Sequence, residues 1–506
     1  MSRKWLPLVA ICLGAFILLV DVTIVNVALP QMAQDLNASM SALQWVIDAY
    51  ALGLAAVLLA AGALADRVGR RRVYLIGLTV FAIASLVCGL APNSAVLILG
   101  RATQGIGGAA MFATTSALLA VIYHGKDRAV AFSVWAAVSG SAAAVGPVLG
   151  GLLSQTWGWS SIFLINVPIA VLTIALSRSV LPESMAPTGR RFDFAGALSF
   201  TVAATALVAG LIEGAVAGWG GVTALLLGVG TGALVLFVLI EIRSVAPLLD
   251  LSLFRRPVFT GLMVAALLLP ATAFASLGYT SIWLQSALGM SPLTSGLVVT
   301  PLSVASFLVA TIAGRRLYRA HPRWTIGGGL VLIGAGALSQ TAIEAGSGWP
   351  VLLVGLVLIG TGVGVATGPL MAAALETAPP QHAGLIGGAV NTFRQLGHAL
   401  GVAVFGPLFL IGARETLAEA ATFADPHAAA SALGGGRAAE LIAQAPPRAQ
   451  ESVHHVVHAA FTAGLDRIFY TAGIGAIAGA VIVFTLVRKR ETATPVQPVE
   501  APARAS

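Results

Sequence analysis

Long apolar runs separated by short polar segments recur along the whole chain. Each run has the roughly 20 residues that a helix needs to cross a bilayer. Helices can do so because their backbone hydrogen bonds are satisfied internally. We therefore predict an all-α polytopic membrane protein with about 14 transmembrane helices. The predicted spans are 5–29, 44–65, 73–91, 95–122, 129–154, 160–180, 193–212, 220–242, 257–284, 295–313, 324–343, 350–374, 385–412 and 466–487.

The sharpest polar interruption is the segment 62–72, which contains four arginines between two apolar runs. Dense positive charge in a short loop marks the cytoplasmic face of a membrane protein. This assignment places both termini in the cytoplasm, because the number of predicted spans is even. It also puts 22 of the 28 Lys and Arg residues in cytoplasmic segments and none in six short outer loops. We therefore predict a protein of the cytoplasmic membrane with both ends inside. The many Ala residues, and 25 Arg against 3 Lys, are typical of a GC-rich bacterial genome and indicate a bacterial source.

Composition agrees with this class of protein. The chain is 58% apolar and 9% charged, its mean hydropathy is +0.92, and soluble domains carry about 25% charged residues. The net charge of +8 follows from the basic inner loops, so no nucleic-acid partner is expected. Cys12 and Cys88 both fall in apolar runs, which excludes a disulfide framework and gives no metal site. No phosphate-binding Gly-Lys-Ser/Thr loop occurs, so ATP hydrolysis is not expected.

A weak internal repeat divides the chain. Gly105 and Gly360 lie in similar glycine-rich stretches, as do Gly146 and Gly401, and the offset is 255 positions in both cases. A constant offset across two separate spans predicts two homologous halves. Paired halves are typical of secondary transporters, which open a central site alternately to each side. The predicted divisions are a first six-helix half at 5–180, two inserted helices at 193–242 and a second six-helix half at 257–487.

Two segments lie outside the predicted spans. Residues 413–465 form a long outer loop, in which apolar residues around Val453 and Phe461 have helical spacing and predict a helix on the membrane surface. His454 and His458 are four residues apart and could bind zinc. A solvated helix face is favoured, because no cysteine completes a ligand set. The tail 488–506 is rich in Pro and Ala and is predicted to be disordered.

Ionisable residues inside apolar spans are the first candidates for function, because burying a charge in lipid is costly. Asp21 lies within the first span and Asp48 near the start of the second. A carboxyl group held away from water can bind and release protons near neutral pH. The alternatives are a structural hydrogen bond for Asp21 and a helix start wetted from outside for Asp48. We favour a functional role for both.

Two arginines, Arg101 and Arg394, also lie within predicted spans, each in a similar polar cluster. Arg101 cannot lose its charge, so it needs a carboxylate, carbonyl groups or water nearby. Gln104 lies one helical turn away on the same face. The thirteenth span has a similar polar cluster, in which Arg394 lies close in sequence to Asn391 and Gln395. His398 lies one turn beyond Arg394 and either titrates or packs as a hydrogen-bonded residue. Arg101 is therefore a further functional candidate. The candidates for the substrate cavity are Asn26, Gln104, Asn391, Arg394, Gln395 and His398.

Glycines and a proline mark candidate moving parts. Gly146 begins a stretch of small residues that would let another helix approach closely, and Pro147 removes a backbone hydrogen bond and bends its span. This stretch serves either simple tight packing or a gate. In the 62–72 loop, Asp66 is an acid among bases and two glycines permit close backbone contact. The conformational candidates are Gly62, Asp66, Arg67, Gly69, Arg70, Gly146 and Pro147.

An ordered set of motifs now resembles a known family. The stretch Val20–Pro30 looks like the first-span motif of the 14-span drug:proton antiporters of the major facilitator superfamily, and the 62–72 loop looks like the superfamily's loop between spans two and three. Further resemblances lie at 101–108, 146–151, 159–168 and 391–397. The resemblance covers about residues 5–487. It implies major facilitator architecture and export of drug-like molecules driven by inward proton flow.

By this resemblance Asp21 and Asp48 would couple protons, Arg101 would assist proton transfer, and Asp66 would lock one conformation. The chain departs from the family pattern in three places. Ser160 stands between two tryptophans where the family usually has Arg, and the loop at 314–316 lacks an acid equivalent to Asp66. His398 replaces a small residue. These departures concern the gate of the second half, the loop between spans five and six, and the choice of substrate.

We therefore expect a proton-coupled multidrug or antibiotic exporter with no cofactor other than the proton gradient. Its partners are a small-molecule substrate, protons and membrane lipid, and the need for an adaptor protein is left open. One alternative is a dedicated exporter of a single endogenous metabolite or antibiotic. Another is a membrane sensor or scaffold that binds a ligand without moving it, but the loops are too short for a signalling domain. An enzyme is not expected, because no nucleophile–base or metal set is present.

Overall fold

The computed structural model describes residues 3–185, 193–216, 218, 220–244, 247–317, 320–377 and 383–488, and the predicted disordered tail lies largely outside these ranges. The described residues are helical and contain no strand. The first half comprises α1 (Leu6–Asp35), α2 (Met40–Val68), α3 (Arg70–Gly89), α4 (Ser94–Ile122), α5 (Gly125–Trp157), α6 (Ser161–Leu164) and α7 (Asn166–Val180). The inserted pair is α8 (Phe194–Val216) and α9 (Gly221–Arg243).

The second half and its outer segment contain the remaining helices. These are α10 (Pro257–Ala273), α11 (Leu277–Ile282), α12 (Pro292–Leu317), α13 (Pro322–Ser339), α14 (Leu352–Glu376), α15 (Ala383–Glu419), α16 (Pro426–Gly434), α17 (Ala438–Ala443) and α18 (Gln450–Leu486). Thirteen spans in the described part of the chain are long and apolar enough to cross a membrane. The predicted fifth span coincides with α5, a helix of 33 residues outside that set. The fold is the predicted all-α polytopic architecture.

The two halves repeat the same glycine contacts. A Cβ added to Gly107 of α4 would collide with the carbonyl group of Gly77 in α3, and one added to Gly362 of α14 would collide with that of Gly329 in α13. Because only glycine permits this approach, each half packs its fourth span tightly on its third. Between the halves, α5 packs on α12 and α2 packs on α15. The inserted helix α8 lies against α2 and α15.

The ninth predicted span, 257–284, is confirmed as one candidate membrane span at Pro257–Ala287. The helix is interrupted inside it, because α10 ends at Ala273 and α11 begins at Leu277. Pro270 lies in the last turn of α10, and proline disturbs the backbone hydrogen bonds of a helix. A π-helical turn at Trp283–Ala287 follows α11.

The outer segment 413–465 is mostly helical, and its amphipathic stretch does not lie on the membrane surface. Helix α18 begins at Gln450, 16 residues before the predicted span. Its residues Val457, Phe461 and Leu465 are fully buried, and the ring centroids of Phe461 and Phe409 of α15 are 5.0 Å apart. The apolar face is thus covered by the protein itself. Among the described residues, no group of three or more potential ligands brings His454 or His458 into a metal site.

The helix ends near the 62–72 loop are called the basic end, and the opposite ends the far end. Three hydrogen bonds toward the far end join residues of the two halves within the described ranges. Gln44 donates to the Tyr279 hydroxyl at 2.9 Å and to the Val402 carbonyl at 3.3 Å. Gln285 donates to the Val27 carbonyl at 2.7 Å. The bundle is therefore tied closed at its far end.

Candidate functional site

Asp21 lies in the middle of α1 and is completely buried. Its Oδ2 accepts a hydrogen bond from Nη1 of Arg101 at 2.5 Å, which makes a buried ion pair between α1 and α4. Its Oδ1 accepts from Nε2 of Gln104 and from Nδ2 of Asn166, both at 2.9 Å. All three partners are donors, so this environment fits a carboxylate in its charged form.

Arg101 is held from several sides. Its Nε donates to the Val46 carbonyl of α2 at 3.0 Å, and its Nη1 also donates to Oε1 of Gln104 at 2.7 Å. The guanidinium carbon lies 4.2 Å from the ring centroid of Tyr50, within the range of a cation–π interaction. Arg101 therefore has the counter-charge and the carbonyl group that the sequence required of it. Its helix begins at Ser94, which places Arg101 two turns into the membrane span.

Gln104 is a predicted candidate for the substrate cavity, but in this structure it does not line an open cavity. It is fully buried, and its amide nitrogen also donates to the hydroxyl of Ser85 in α3 at 2.9 Å. The amide bridges Asp21, Arg101 and Ser85 because its donor and acceptor ends face different partners. Gln104 thus belongs to the polar network of the first half.

Sequence reasoning did not assign roles to two members of this network. Asn166 follows the short helix α6 and begins α7, and it is 2% exposed. Ser85 is fully buried in α3. Both are small polar residues in apolar spans, and this was the available signal. Asn166 bonds Asp21, which is 145 positions away, and Ser85 bonds Gln104 of another helix, so neither pair could be matched in advance.

Asp48 has the opposite environment. It lies two turns into α2, which begins at Met40, and is completely buried. Neither carboxylate oxygen has a hydrogen-bond partner among the described residues. The wetted helix start that we considered for Asp48 is therefore excluded. A buried carboxylate without donors is very costly when charged, so this environment fits the protonated form.

Asp48 lies next to the junction between the halves. Gln44, one turn earlier on α2, makes the two hydrogen bonds to α11 and α15 described above. Ala51 and Leu52, one turn later, belong to an apolar cluster with Ala399 and Ala403 of α15. Any change in the charge of Asp48 would thus act on the α2–α15 contact.

The small residues of α5 pack on both halves. A Cβ on Gly146 would collide with the Thr23 hydroxyl of α1. A Cβ on Gly151 would lie 2.5 Å from the carbonyl oxygen of Pro292 in α12, and one on Gly296 of α12 would collide with the carbonyl of Pro147. Helix α5 therefore contacts both α1, two residues after Asp21, and α12 of the second half.

The 62–72 loop is organised around Gly69, whose φ of +119° disfavours any residue with a side chain. Gly69 ends α2 and precedes α3. The Glu183 carboxylate, which follows α7, accepts a hydrogen bond from the main-chain nitrogen of Arg71 at 3.1 Å and lies 3.7 Å from Nε of Arg72. A carboxylate at this position stabilises the start of α3. Sequence analysis did not single out Glu183.

The other loop candidates are less constrained. A Cβ on Gly62 would meet only an ordinary contact, 4.0 Å from Ala113, so the expected close backbone approach there is wrong. Arg67 is exposed, and the main-chain nitrogen of Arg70 donates to the Ser184 carbonyl at 2.9 Å. The side chain of Asp66 lies outside the described part of the structure, so its locking role stays a prediction.

The candidates of the second half share one face of α15. Asn391, Arg394, Gln395 and His398 follow the three- and four-residue spacing of a single helical stripe. Arg394 is half-buried and makes no hydrogen bond or ion pair among the described residues. His398 is 9% exposed. In the first half, Asn26 lies near α11, because a Cβ on Gly278 would be 3.6 Å from its Oδ1.

Comparison with known proteins gives a consistent result. A family model described as the Major Facilitator Superfamily matches residues 11–402. The chain is 37% identical over 414 residues to Multidrug resistance protein Stp of Mycobacterium tuberculosis, covering 81% of this chain and 77% of that protein. It is 32% identical over 506 residues to the Tetracenomycin C resistance and export protein of Streptomyces glaucescens, covering 97% and 93%.

Among solved structures, a bacterial homolog of the human lysosomal transporter Spinster, in an inward-facing and occupied conformation, has the same fold. The TM-score is 0.66 at 16% identity, covering 97% of this chain and 98% of that one.

Proposed function

The chain belongs to the major facilitator superfamily, and from this premise we propose that it exports drug-like or antibiotic molecules in exchange for protons. We place it in the cytoplasmic membrane of a bacterium with both termini inside, which makes the basic end cytoplasmic and the far end external. The names of the relatives support the type of cargo. The observation that carries the proton coupling is the contrast between Asp21, which is paired with three donors, and Asp48, which has none.

Proton binding at Asp21 would remove the charge that balances Arg101. The guanidinium would then be left buried without a counter-ion, which is strongly unfavourable. The network between α1 and α4 must therefore rearrange or admit water. Because Thr23 packs against Gly146, movement of α1 would reach α5 and, through Gly151, α12 of the second half. Protonation is in this way coupled to the contact between the halves.

At Asp48 it is loss of a proton, and not binding of one, that would disturb the contact between the halves. An unpaired charge beside the α2–α15 contact must be hydrated, and hydration requires the halves to separate there. The closed far end seen in the structure thus suits protonated Asp48 and charged Asp21. A proton that enters down a membrane potential of 100 mV gains about 2.3 kcal/mol, which shifts a two-state equilibrium by about 50-fold.

A second candidate is a dedicated exporter of one endogenous antibiotic or metabolite. The relative from Streptomyces glaucescens is named for resistance to and export of tetracenomycin C, and it covers nearly the whole chain. The two candidates share the mechanism and differ only in the range of cargo. Growth inhibition of a deletion strain across a compound panel separates them, since a multidrug exporter protects against several unrelated compounds.

The proposal is tested with purified protein in liposomes that contain a fluorescent cationic dye. Transport should follow an imposed pH difference, and it should stop when an ionophore collapses that difference. Movement that ignores the gradient would contradict proton coupling. Absence of movement, combined with normal dye binding, would favour the sensor or scaffold alternative.

A further inference from the structure

Two carboxyl groups meet at the basic end of the inserted helices. Asp193 immediately precedes α8, and its Oδ1 accepts a hydrogen bond from the main-chain nitrogen of Gly196 at 2.8 Å. Glu241 lies in the last turn of α9, and its Oε2 accepts from the main-chain nitrogen of Leu249 at 3.1 Å. Each carboxyl group thus uses one oxygen to bind the backbone.

The other two oxygens face the same small space. Oδ2 of Asp193 and Oε1 of Glu241 are both buried and have no hydrogen-bond partner among the described residues. Glu241 is only 3% exposed. A Cβ on Gly196 would lie 2.7 Å from Oε1 of Glu241 and 3.1 Å from Oδ2 of Asp193. Gly196 therefore leaves the room that lets the two carboxyl groups approach each other.

Two such groups cannot both be charged in a buried site unless a cation lies between them. Arg190 and Arg191, which precede Asp193 in the sequence, lie outside the described residues. The charged residues described on the packed elements bind elsewhere or are exposed. Arg243 and Arg255 are exposed, Arg256 donates to the Thr377 carbonyl, and Asp250 accepts from the main chain of Ser252. On the elements that pack against α8, Arg67 is exposed and Arg394 makes no ion pair among the described residues.

We propose that Asp193 and Glu241 share one proton, held between Oδ2 and Oε1, and form a proton-binding site separate from Asp21 and Asp48. The shared proton ties the start of α8 to the end of α9. Through Leu249 it also ties the inserted pair to the segment that leads into α10. Loss of this proton would place two like charges together and loosen the inserted helices from the second half. The proposal does not depend on what the protein transports.

Infrared spectroscopy of the purified protein tests the proposal directly. The parent carries Asp48→Asn and Asp466→Asn, which remove the other two carboxyl groups with a buried oxygen that lacks a hydrogen-bond partner among the described residues. At a pH where exposed carboxyl groups are ionised, the parent should keep the absorption of a protonated carboxyl group. Either Glu241→Gln or Asp193→Asn should abolish it, because the new amide donates its own N–H to the remaining carboxylate. Persistence of the band in both variants, or its absence from the parent, would overturn the proposal.

A cation could take the place of the proton, so the spectra are recorded with and without sodium and potassium. A band that appears only when these ions are removed would show a cation site and contradict proton sharing. A band of equal intensity under all conditions supports the proposal.

Thermal stability in detergent provides a second measurement. A proton that is held in the folded state and released on unfolding makes stability fall as pH rises, by up to tenfold in the unfolding equilibrium per pH unit. Glu241→Gln should flatten this dependence, and Asp193→Asn should do the same. Glu213→Gln, on the same inserted pair, is the matched control and should leave it unchanged. An unchanged slope in both test variants would refute the shared proton.

Discussion

Asn166 donates a hydrogen bond of 2.9 Å to Oδ1 of Asp21, although 145 positions separate the two residues. This contact joins α7 to α1 and completes a set of three donors around one buried carboxylate. The set stabilises the charged form of Asp21, so it determines how readily a proton can replace Arg101. Asn166 is therefore a positioning residue for the proposed proton site.

Replacing Asn166 with alanine should move the pH dependence of export to higher pH. The substitution removes one of the three donors to the Asp21 carboxylate, and a hydrogen bond to a charged group contributes about 1.5–3 kcal/mol. Export is measured in liposomes at fixed pH difference over a range of absolute pH. Thr173→Ala is the control, because the Thr173 hydroxyl lies on the same helix and bonds only its own backbone. If the substitution lowers the export rate equally at every pH and leaves the pH dependence unchanged, Asn166 has a purely structural role.

Asp21→Asn should remove proton-driven export. The amide retains the size of the carboxyl group and can still accept one hydrogen bond, but it cannot accept and release a proton. Because it also removes the charge opposite Arg101, some loss of stability is expected, so efflux is compared per amount of protein in the membrane. We expect dye efflux from cells with an imposed pH gradient to fall to the level of empty vector. Undiminished efflux would remove Asp21 from the coupling role.

Leucine substitutions distinguish the two acidic residues by stability. Asp48→Leu should fold at least as well as the wild type, because both oxygens of Asp48 lack partners and burying them is unfavourable. Asp21→Leu should be destabilised by about 3–5 kcal/mol, because it leaves Arg101 buried without its counter-charge. Detergent-solubilised yield and thermal stability measure both effects. An equal loss of stability in the two variants would mean that Asp48 has hydrogen-bond partners similar to those of Asp21.

The sequence predicted the spans and the buried charges well, because apolar length and isolated polar residues are local signals. It identified Asp21 and Arg101 as candidates, and the structure places them in one ion pair. It could not assign Asn166, Ser85 or Glu183, since their roles depend on partners in distant parts of the chain. The break after Ala273 and the early start of α18 were missed, because an apolar run has the same appearance whether lipid or protein covers it.

Glu183→Gln should weaken the attachment of the 62–72 loop to the segment after α7. The substitution removes the charge that interacts with Arg72 and with the start of α3. Exposed contacts of this type contribute about 0.3–1 kcal/mol. We therefore expect the transport rate of the variant to be about two- to fivefold lower than that of the wild type. High salt should reduce the wild-type rate toward that of the variant, because salt screens the same charges. A variant whose rate differs equally at all salt concentrations would contradict this electrostatic role.

Gly151→Ala should separate α5 from α12 and impair export. An added Cβ would lie 2.5 Å from the Pro292 carbonyl oxygen and 2.6 Å from the Cα of Leu293, and backbone atoms cannot move aside as a side chain can. Because these contacts join the two halves, we expect at least a tenfold loss of transport with a smaller effect on membrane insertion. Gly232→Ala in α9 is the matched control, since nothing lies within 4 Å of its added Cβ and alanine favours the helix. Chemical crosslinking between cysteines introduced on α5 and α12 measures the separation directly. Wild-type transport and crosslinking in Gly151→Ala would show that this close contact between the halves is not required for their movement.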